Sequence, residues 1–197
     1  MIFEEDYYLN SKKSNYTNYL SKDFSGLSLD IIKYIKINST SLDFGCATGG
    51  LVYELNNLGY KTIGTDISYW AINTGRKKYL LDKTTLQHHN ISLLENRYID
   101  NIIVLDVFEH IDEQELKEIL AICQIKNMIV RIPVSIIEGQ DYFLDVSKRD
   151  VTHKKPHTKK WWENLFMFFG YRIESIIREK YIYDSDGVLC VKLVKSL

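Results

Sequence analysis

The sequence predicts a doubly wound α/β fold: a seven-stranded, mostly parallel sheet with helices on both faces and an antiparallel edge strand. Three observations predict it. Short apolar runs alternate with amphipathic helical stretches from residue 40 to residue 134. The glycine-rich turn Gly45-Cys-Ala-Thr-Gly-Gly falls between the first such run and the helix that follows. Two further strand-like runs, joined through Asp184-Ser-Asp-Gly, close the chain as an antiparallel pair. Parallel neighbours require right-handed crossovers, and such sheets bind ligands beyond the carboxyl ends of their strands.

Each element has its own signal. Leu27, Leu29, Ile31, Ile32 and Ile35 suit a short amphipathic helix, after which residues 39–44 read as a strand entering the glycine turn. Residues 49–60 form a helix closed by Gly59. Residues 61–66 are a second strand, and Ser68 is the expected N-cap of the helix over 68–81. A third strand covers 84–90. Residues 101–106 are almost wholly apolar and end in an acid, the pattern of a central strand buried on both faces. An acid-rich start marks the helix over 111–124, and residues 127–133 make a fifth strand. After a polar segment, 135–160, the helix over 161–171 precedes the final runs 172–177 and 187–194.

Composition narrows the function. The 197 residues are 45% hydrophobic and 26% charged, which predicts one soluble domain over 1–197 with a core of its own. No span nears the ~20 apolar residues needed to cross a bilayer, and the N-terminus MIFEEDYYLNSKK has acids and no apolar core of a signal peptide. A cytoplasmic protein without membrane insertion is expected. Cys46, Cys123 and Cys190 are too widely spaced for a CxxC metal site and too few for a disulfide framework, so they are expected as core thiols. A net charge of −1 offers no field to attract nucleic acid, and the basic run 148–160 is expected as a solvated loop.

Missing Cβ atoms in the glycine turn let backbone amides approach a ligand at a helix N-terminus. A phosphate-binding GKS or GKT does not follow, and Ala47 breaks the GxGxxG dinucleotide pattern. Asp66 ends the next strand 21 residues beyond Gly45, where an acid can bond both hydroxyls of a ribose. Turn and acid together point to a bound nucleoside.

Three blocks in order, Asp43-Phe-Gly45-Cys-Ala-Thr-Gly49, Asp66 and Leu105-Asp-Val-Phe-Glu-His-Ile111, resemble the class I S-adenosylmethionine-dependent methyltransferases, in their small-molecule branch. The resemblance covers about residues 25–194. It implies S-adenosylmethionine as cofactor, with S-adenosylhomocysteine as product. It further implies cofactor contacts from Asp43, Gly45, Cys46, Ala47, Gly49, Asp66, Ile67, Asn90, Ile91, Asp106 and Val107. Two positions depart from the family: Ala47 replaces a glycine in the turn, and Asn90 stands where an acid contacts adenine. An Asn amide still offers an acceptor for the adenine amino group.

The segment Asp150-Val-Thr-His153 with Trp161-Trp162 resembles a signature of methyltransferases that modify sugars and other small acceptors. His153 is then a candidate general base, because a near-neutral pKa suits removal of an alcohol proton. Its alternative role is to anchor the loop. His110 either faces the site mouth as a second candidate or packs as a hydrogen-bonded histidine, and Glu109 shares that ambiguity. His157 is a weaker candidate. Without a carboxylate or cysteine set beside His153 and His157, no metal is expected. Trp161 and Trp162 are expected to divide between core and pocket wall.

Residues 1–26, rich in tyrosine, are either a lid over the cofactor or a solvated leader, and 135–160 carry the substrate loops. The expected reaction is methyl transfer to a small-molecule acceptor, at a hydroxyl, as on a sugar or glycan precursor, or at an amine. The fourth strand ends without the cysteine that cytosine-C5 chemistry needs. Two other readings stay open: methylation of RNA or protein, with Lys154, Lys155, Lys159 and Lys160 on phosphates, and a non-catalytic cofactor-binding module. The oligomeric state is left open.

Overall fold

The computed structural model describes residues 3–9, 14 and 16–196. Strands β1 (Ser41–Phe44), β2 (Thr62–Asp66), β3 (Leu86–His88), β4 (Asn101–Leu105) and β5 (Asn127–Pro133) run parallel. They share one seven-stranded sheet with β6 (Tyr171–Ile176) and β7 (Val188–Lys195), in the order β3-β2-β1-β4-β5-β7-β6. β7 is antiparallel to both β5 and β6, so the antiparallel pair forms that edge with its reversed member lying one place inside.

The central strand shows why its sequence is continuously apolar. Ile102 and Val104 of β4 face one layer, with Leu42 of β1 and Val130 of β5 against Leu116, Leu120, Trp162 and Phe166. Ile103 faces the other, with Ile129 against Leu51, Leu55, Leu27 and Ile31. Helices α5 (Glu113–Ile122) and α7 (Lys159–Phe168) therefore cover the first face, while α2 (Ser25–Ile31) and α3 (Gly50–Asn57) cover the second. Burial on both faces leaves no polar positions in the middle of such a strand.

The crossovers keep their caps. Ser68 accepts a hydrogen bond from the Ala71 amide at 3.0 Å and starts α4 (Tyr69–Tyr79), and Gly59, at φ 84°, ends the turn after α3. Cys46, Cys123 and Cys190 are buried and unpaired. No helix among the described residues is long and apolar enough to cross a membrane.

Most elements are shorter than the sequence expectation or shifted from it by a residue or more, and four differences have a local cause or consequence. The first predicted helix starts earlier, at Ser25, and stops at Ile31. β3 keeps only three of the seven residues expected. The segment 135–160 contains a short helix, α6 (Asp145–Arg149), in which only Ser147 is buried, so no apolar periodicity announced it. α7 begins at Lys159, because Thr158 accepts from the Trp161 amide and caps it. At the N-terminus α1 (Glu5–Leu9) buries Tyr7 and Tyr8. Of the expected 1–26 lid, residues 1, 2, 10–13 and 15 lie outside the described residues, as does Leu197 of the expected domain.

Candidate active site

The strand order reverses between β1 and β4, and a crevice opens beyond their carboxyl ends. It holds about 1040 Å³ of atom-free space, mouth included. Gly45 and Ala47 of the turn, Asp66 and Ile67 after β2, and Asn90 and Ile91 after β3 line one end. Asp106, Val107 and His110 after β4 line the other. Phe3, Tyr7, Tyr8, Tyr16 and Tyr19 roof it, so these N-terminal aromatics pack down on the crevice instead of facing solvent.

Backbone geometry explains the turn. Gly45 sits at φ 81°, and a Cβ there would lie 2.3 Å from Val107 Cγ2, so the glycine lets the end of β1 lie against the end of β4. Ala47 also takes a left-handed conformation, at φ 49°, and its amide donates to Asp66 Oδ2 at 2.7 Å. The Ser68 amide donates to Asp66 Oδ1 at 2.7 Å. Each carboxylate oxygen is thereby anchored with acceptor capacity to spare. Gly49 and Cys46 do not line the crevice. A Cβ on Gly49 would meet Leu86, and Cys46 packs against Val52, Ile72 and Leu86 behind the turn.

Two acids lie close together under the turn. Asp43, at the end of β1, is buried just behind the crevice lining. Burial, and then the charge of Asp66, push its carboxyl up to about 7. Burial also raises the Asp66 carboxyl, against the two amide hydrogen bonds that favour its ionised form. Asn90 donates to Gln87 Oε1 at 2.6 Å and accepts from Ser92 Oγ at 2.6 Å, which fixes its amide at the crevice wall. Asp106 takes φ 56° and pairs with Arg131 of β5, whose Nε lies 2.9 Å from Oδ1. Burial works against the Asp106 carboxylate, but the Arg131 charge and hydrogen bonds hold it below the ordinary range.

Beyond His110 the polar segment folds back on the site. The backbone amide of Lys154 donates to the Glu109 carbonyl at 2.8 Å, drawing 150–154 against the end of β4. Thr152 Oγ1 gives its proton to Asp150 Oδ1 at 2.6 Å and lies 2.7 Å from His110 Nδ1, so His110 Nδ1 carries a proton and donates to Thr152. Asp150 Oδ2 accepts from the Tyr7 hydroxyl at 2.9 Å. His153 stands behind His110, ring centroids 4.6 Å apart, and is absent from the crevice lining. Burial, joined by its His153 neighbour, lowers His110 to about 4. Burial also lowers His153 and raises Glu109.

The remaining candidates have structural partners. His157 Nδ1 lies 2.8 Å from Glu138 Oε1, and its ring stacks on Trp161 at 3.5 Å, which makes it a loop anchor. Trp162 is in the core, and both tryptophans border a smaller cavity beside His157 instead of the main crevice. Thr65, His89 and Leu105 line the crevice without having been singled out in the sequence, and Arg131 and Thr152 support its walls. Of these only Thr152 carried a local signal, two residues after Asp150, the spacing of an Asx turn.

Residues 42–127, from β1 to the first residue of β5, match the family model of a methyltransferase domain. Over these residues the chain is similar to methyltransferase domains. No curated protein matches the sequence of this chain. Among solved structures it is similar to a SAM-dependent methyltransferase from Archaeoglobus fulgidus, with 17% identity over 86% of this chain and 93% of that one and a TM-score of 0.63. It is similar to the PH0226 protein of Pyrococcus horikoshii OT3, with 18% identity, 88% and 89% coverage and a TM-score of 0.65. It is also similar to the magnesium protoporphyrin IX methyltransferase of Synechocystis PCC 6803 with bound SAH, with 17% identity, 79% and 74% coverage and a TM-score of 0.59. At these identities the structures speak for the fold alone.

Proposed function

We propose that this chain is a class I S-adenosylmethionine-dependent methyltransferase that, acting as one cytoplasmic domain, transfers a methyl group to a small-molecule acceptor, at a hydroxyl or an amine, with a sugar or glycan-precursor hydroxyl favoured. The observation that carries the reading is the single crevice that runs from Asp66 to His110 under the tyrosine roof.

The residues present fit S-adenosylmethionine. Ile67 and Ile91 are exposed apolar side chains on the same wall, suited to the faces of an adenine. The free acceptor capacity of Asp66 suits the two ribose hydroxyls, and Asn90 Oδ1 suits the adenine amino group. The Asp43 side chain makes no hydrogen bond among the described residues, so its carboxylate is available to the cofactor's ammonium, directly or through water. Gly45 and Ala47 present backbone to the same ligand, and Asp106 and Val107 border the end where the acceptor enters.

The bound cofactor supplies a methyl group already activated on a sulfonium. The protein's part is then to align the acceptor, exclude water and take a proton. The tyrosine roof excludes water. Proton removal is assigned to the pair His110 and His153, of which His110 faces the crevice and keeps its Nε2 lone pair because Nδ1 carries the proton.

Charge pairing supports a small acceptor over a nucleic acid. Lys148 faces Asp145, Lys154 faces Asp112, Lys159 faces Asp184 and Lys160 faces Glu163. With these four lysines matched and Lys155 without an ion pair among the described residues, the track has less charge left to neutralise phosphates.

The test is release of S-adenosylhomocysteine from S-adenosylmethionine in the presence of pools of hydroxylated and amine acceptors. Turnover with one pool, lost in Asp66→Ala, supports the proposal. Saturable cofactor binding without turnover on any pool would make the chain a binding module instead, and turnover only on RNA or protein would replace the acceptor class.

A further inference from the structure

Glu109 is the residue that the cofactor reading leaves without a purpose. Its side chain is only 1% exposed, and neither carboxylate oxygen has a hydrogen-bond partner among the described residues. Buried carboxylates are ordinarily satisfied by donors, paired with a cation or bound to a metal. Two histidines come near: Nε2 of His110 and Nε2 of His153 each lie 4.0 Å from Glu109 Oε1. One ligand atom from each of the three residues lies within 4.8 Å of the other two. Ligands about 2.1 Å from a shared ion stand roughly 3.0–4.2 Å apart, so a small side-chain contraction closes the set.

The surroundings are those of a metal site. His110 gives its Nδ1 proton to Thr152, Thr152 gives its own to Asp150, and Tyr7 donates to the other Asp150 oxygen. That chain holds the His110 ring in the tautomer that leaves Nε2 free, as the outer partners of metal-bound histidines do. His153 Nδ1 makes no well-formed hydrogen bond, with the Ser147 carbonyl nearby. The three side chains come from the end of β4 and from the 150–154 loop, held together by the bond from the Lys154 amide to the Glu109 carbonyl.

We propose that Glu109, His110 and His153 bind one divalent first-row transition ion at the acceptor end of the crevice. Two imidazoles and a carboxylate suit zinc, manganese, iron(II) or cobalt and leave coordination positions open. Because His110 lines the crevice, an open position is available to an acceptor hydroxyl, which the ion orients and makes more acidic. In this role the inference rests on the methyl-transfer reading, narrows the acceptor to an oxygen, and makes His110 and His153 ligands in place of bases, the proton of the metal-acidified hydroxyl leaving to solvent through the crevice mouth. The binding itself rests only on the three side chains.

The full chain, stripped with chelator and dialysed, is titrated with Co²⁺ by visible absorption and with Zn²⁺ by calorimetry. S-adenosylhomocysteine binding is measured on the same preparations. One equivalent of metal is expected in the wild type, at least tenfold weaker in Glu109→Gln and in His153→Gln, with S-adenosylhomocysteine affinity within twofold of the wild type. The two variants guard against either one misfolding, which loss of S-adenosylhomocysteine binding would reveal. A wild type that binds S-adenosylhomocysteine but not metal, or metal affinity equal in wild type and variants, overturns the site. Metal binding that depends on Glu109 and His153 without any S-adenosylhomocysteine binding keeps the site and overturns the proposed function.

Discussion

The backbone amide of Ala47 donates to Asp66 Oδ2 at 2.7 Å, so the turn after β1 and the acid that ends β2 form one unit. Asp66 also accepts the Ser68 amide that opens α4, so its loss would orphan two buried donors and, on the proposed reading, remove the contacts to the ribose. Asp66→Ala is expected to weaken S-adenosylhomocysteine binding by on the order of 2 kcal/mol, about 30-fold. It should also lower folding stability by about 1–3 kcal/mol. Calorimetry and urea unfolding read the two effects separately, and affinity equal to wild type would remove Asp66 from the binding site.

Asp43 should make cofactor binding pH-dependent. Its carboxyl is pushed from 3.8 up to about 7 by burial and by Asp66, so the free folded protein holds a proton that the unfolded chain has released. Its contribution to stability is accordingly full below pH 3.8 and is lost as pH rises through about 7. A bound ammonium reverses the preference in favour of the carboxylate. Binding below pH 7 should therefore release a proton, seen as a calorimetric heat that varies with buffer ionisation enthalpy, and affinity should rise with pH. Asp43→Asn should abolish both trends, and a pH-independent wild type would detach Asp43 from the ammonium.

Tyr7 ties the roof to the polar segment through its hydroxyl and Asp150, 143 residues away in sequence. Tyr7→Phe keeps the ring packing and leaves Asp150 Oδ2 without that donor. The expected cost is about 1.5–3 kcal/mol, that of a hydrogen bond to a carboxylate. Proteolysis near the N-terminus should quicken, and bound S-adenosylhomocysteine should restore protection. No change in either rate would mean that the roof holds by apolar packing alone.

Gly45→Ala is expected to be costly because the new Cβ meets Val107 at 2.3 Å in a left-handed backbone. Strain and overpacking together suggest about 2–4 kcal/mol of lost stability. Gly59, also at positive φ but with open space around it, is the control: Gly59→Ala carries the backbone term alone. Equal unfolding midpoints for the two variants would show that contact with Val107 does not matter.

Much of this architecture was legible from local signals. The continuous apolar run of β4 announced a strand buried on both faces, since Ile102 and Ile103 serve opposite layers. Ser68 and Gly59 marked helix ends because capping is a contact between near neighbours. The short helix α6 was illegible for the converse reason, with one buried residue in five.

The candidate site divides in the same way. Asp43, the glycine turn and Asp66 could be read from the sequence by themselves, because each ends or follows a strand and the sheet delivers strand ends to one edge. What only the tertiary structure decided is where long-range pairs meet. Glu109 and His110 face His153 across more than 40 residues, and Tyr7 reaches Asp150. The spacing of His153 and His157 suggested no metal set, because the carboxylate that completes one comes from the end of β4. Neighbours along a chain are set by local geometry, whereas these partners come together only after both faces of the sheet are packed and the 150–154 loop folds back.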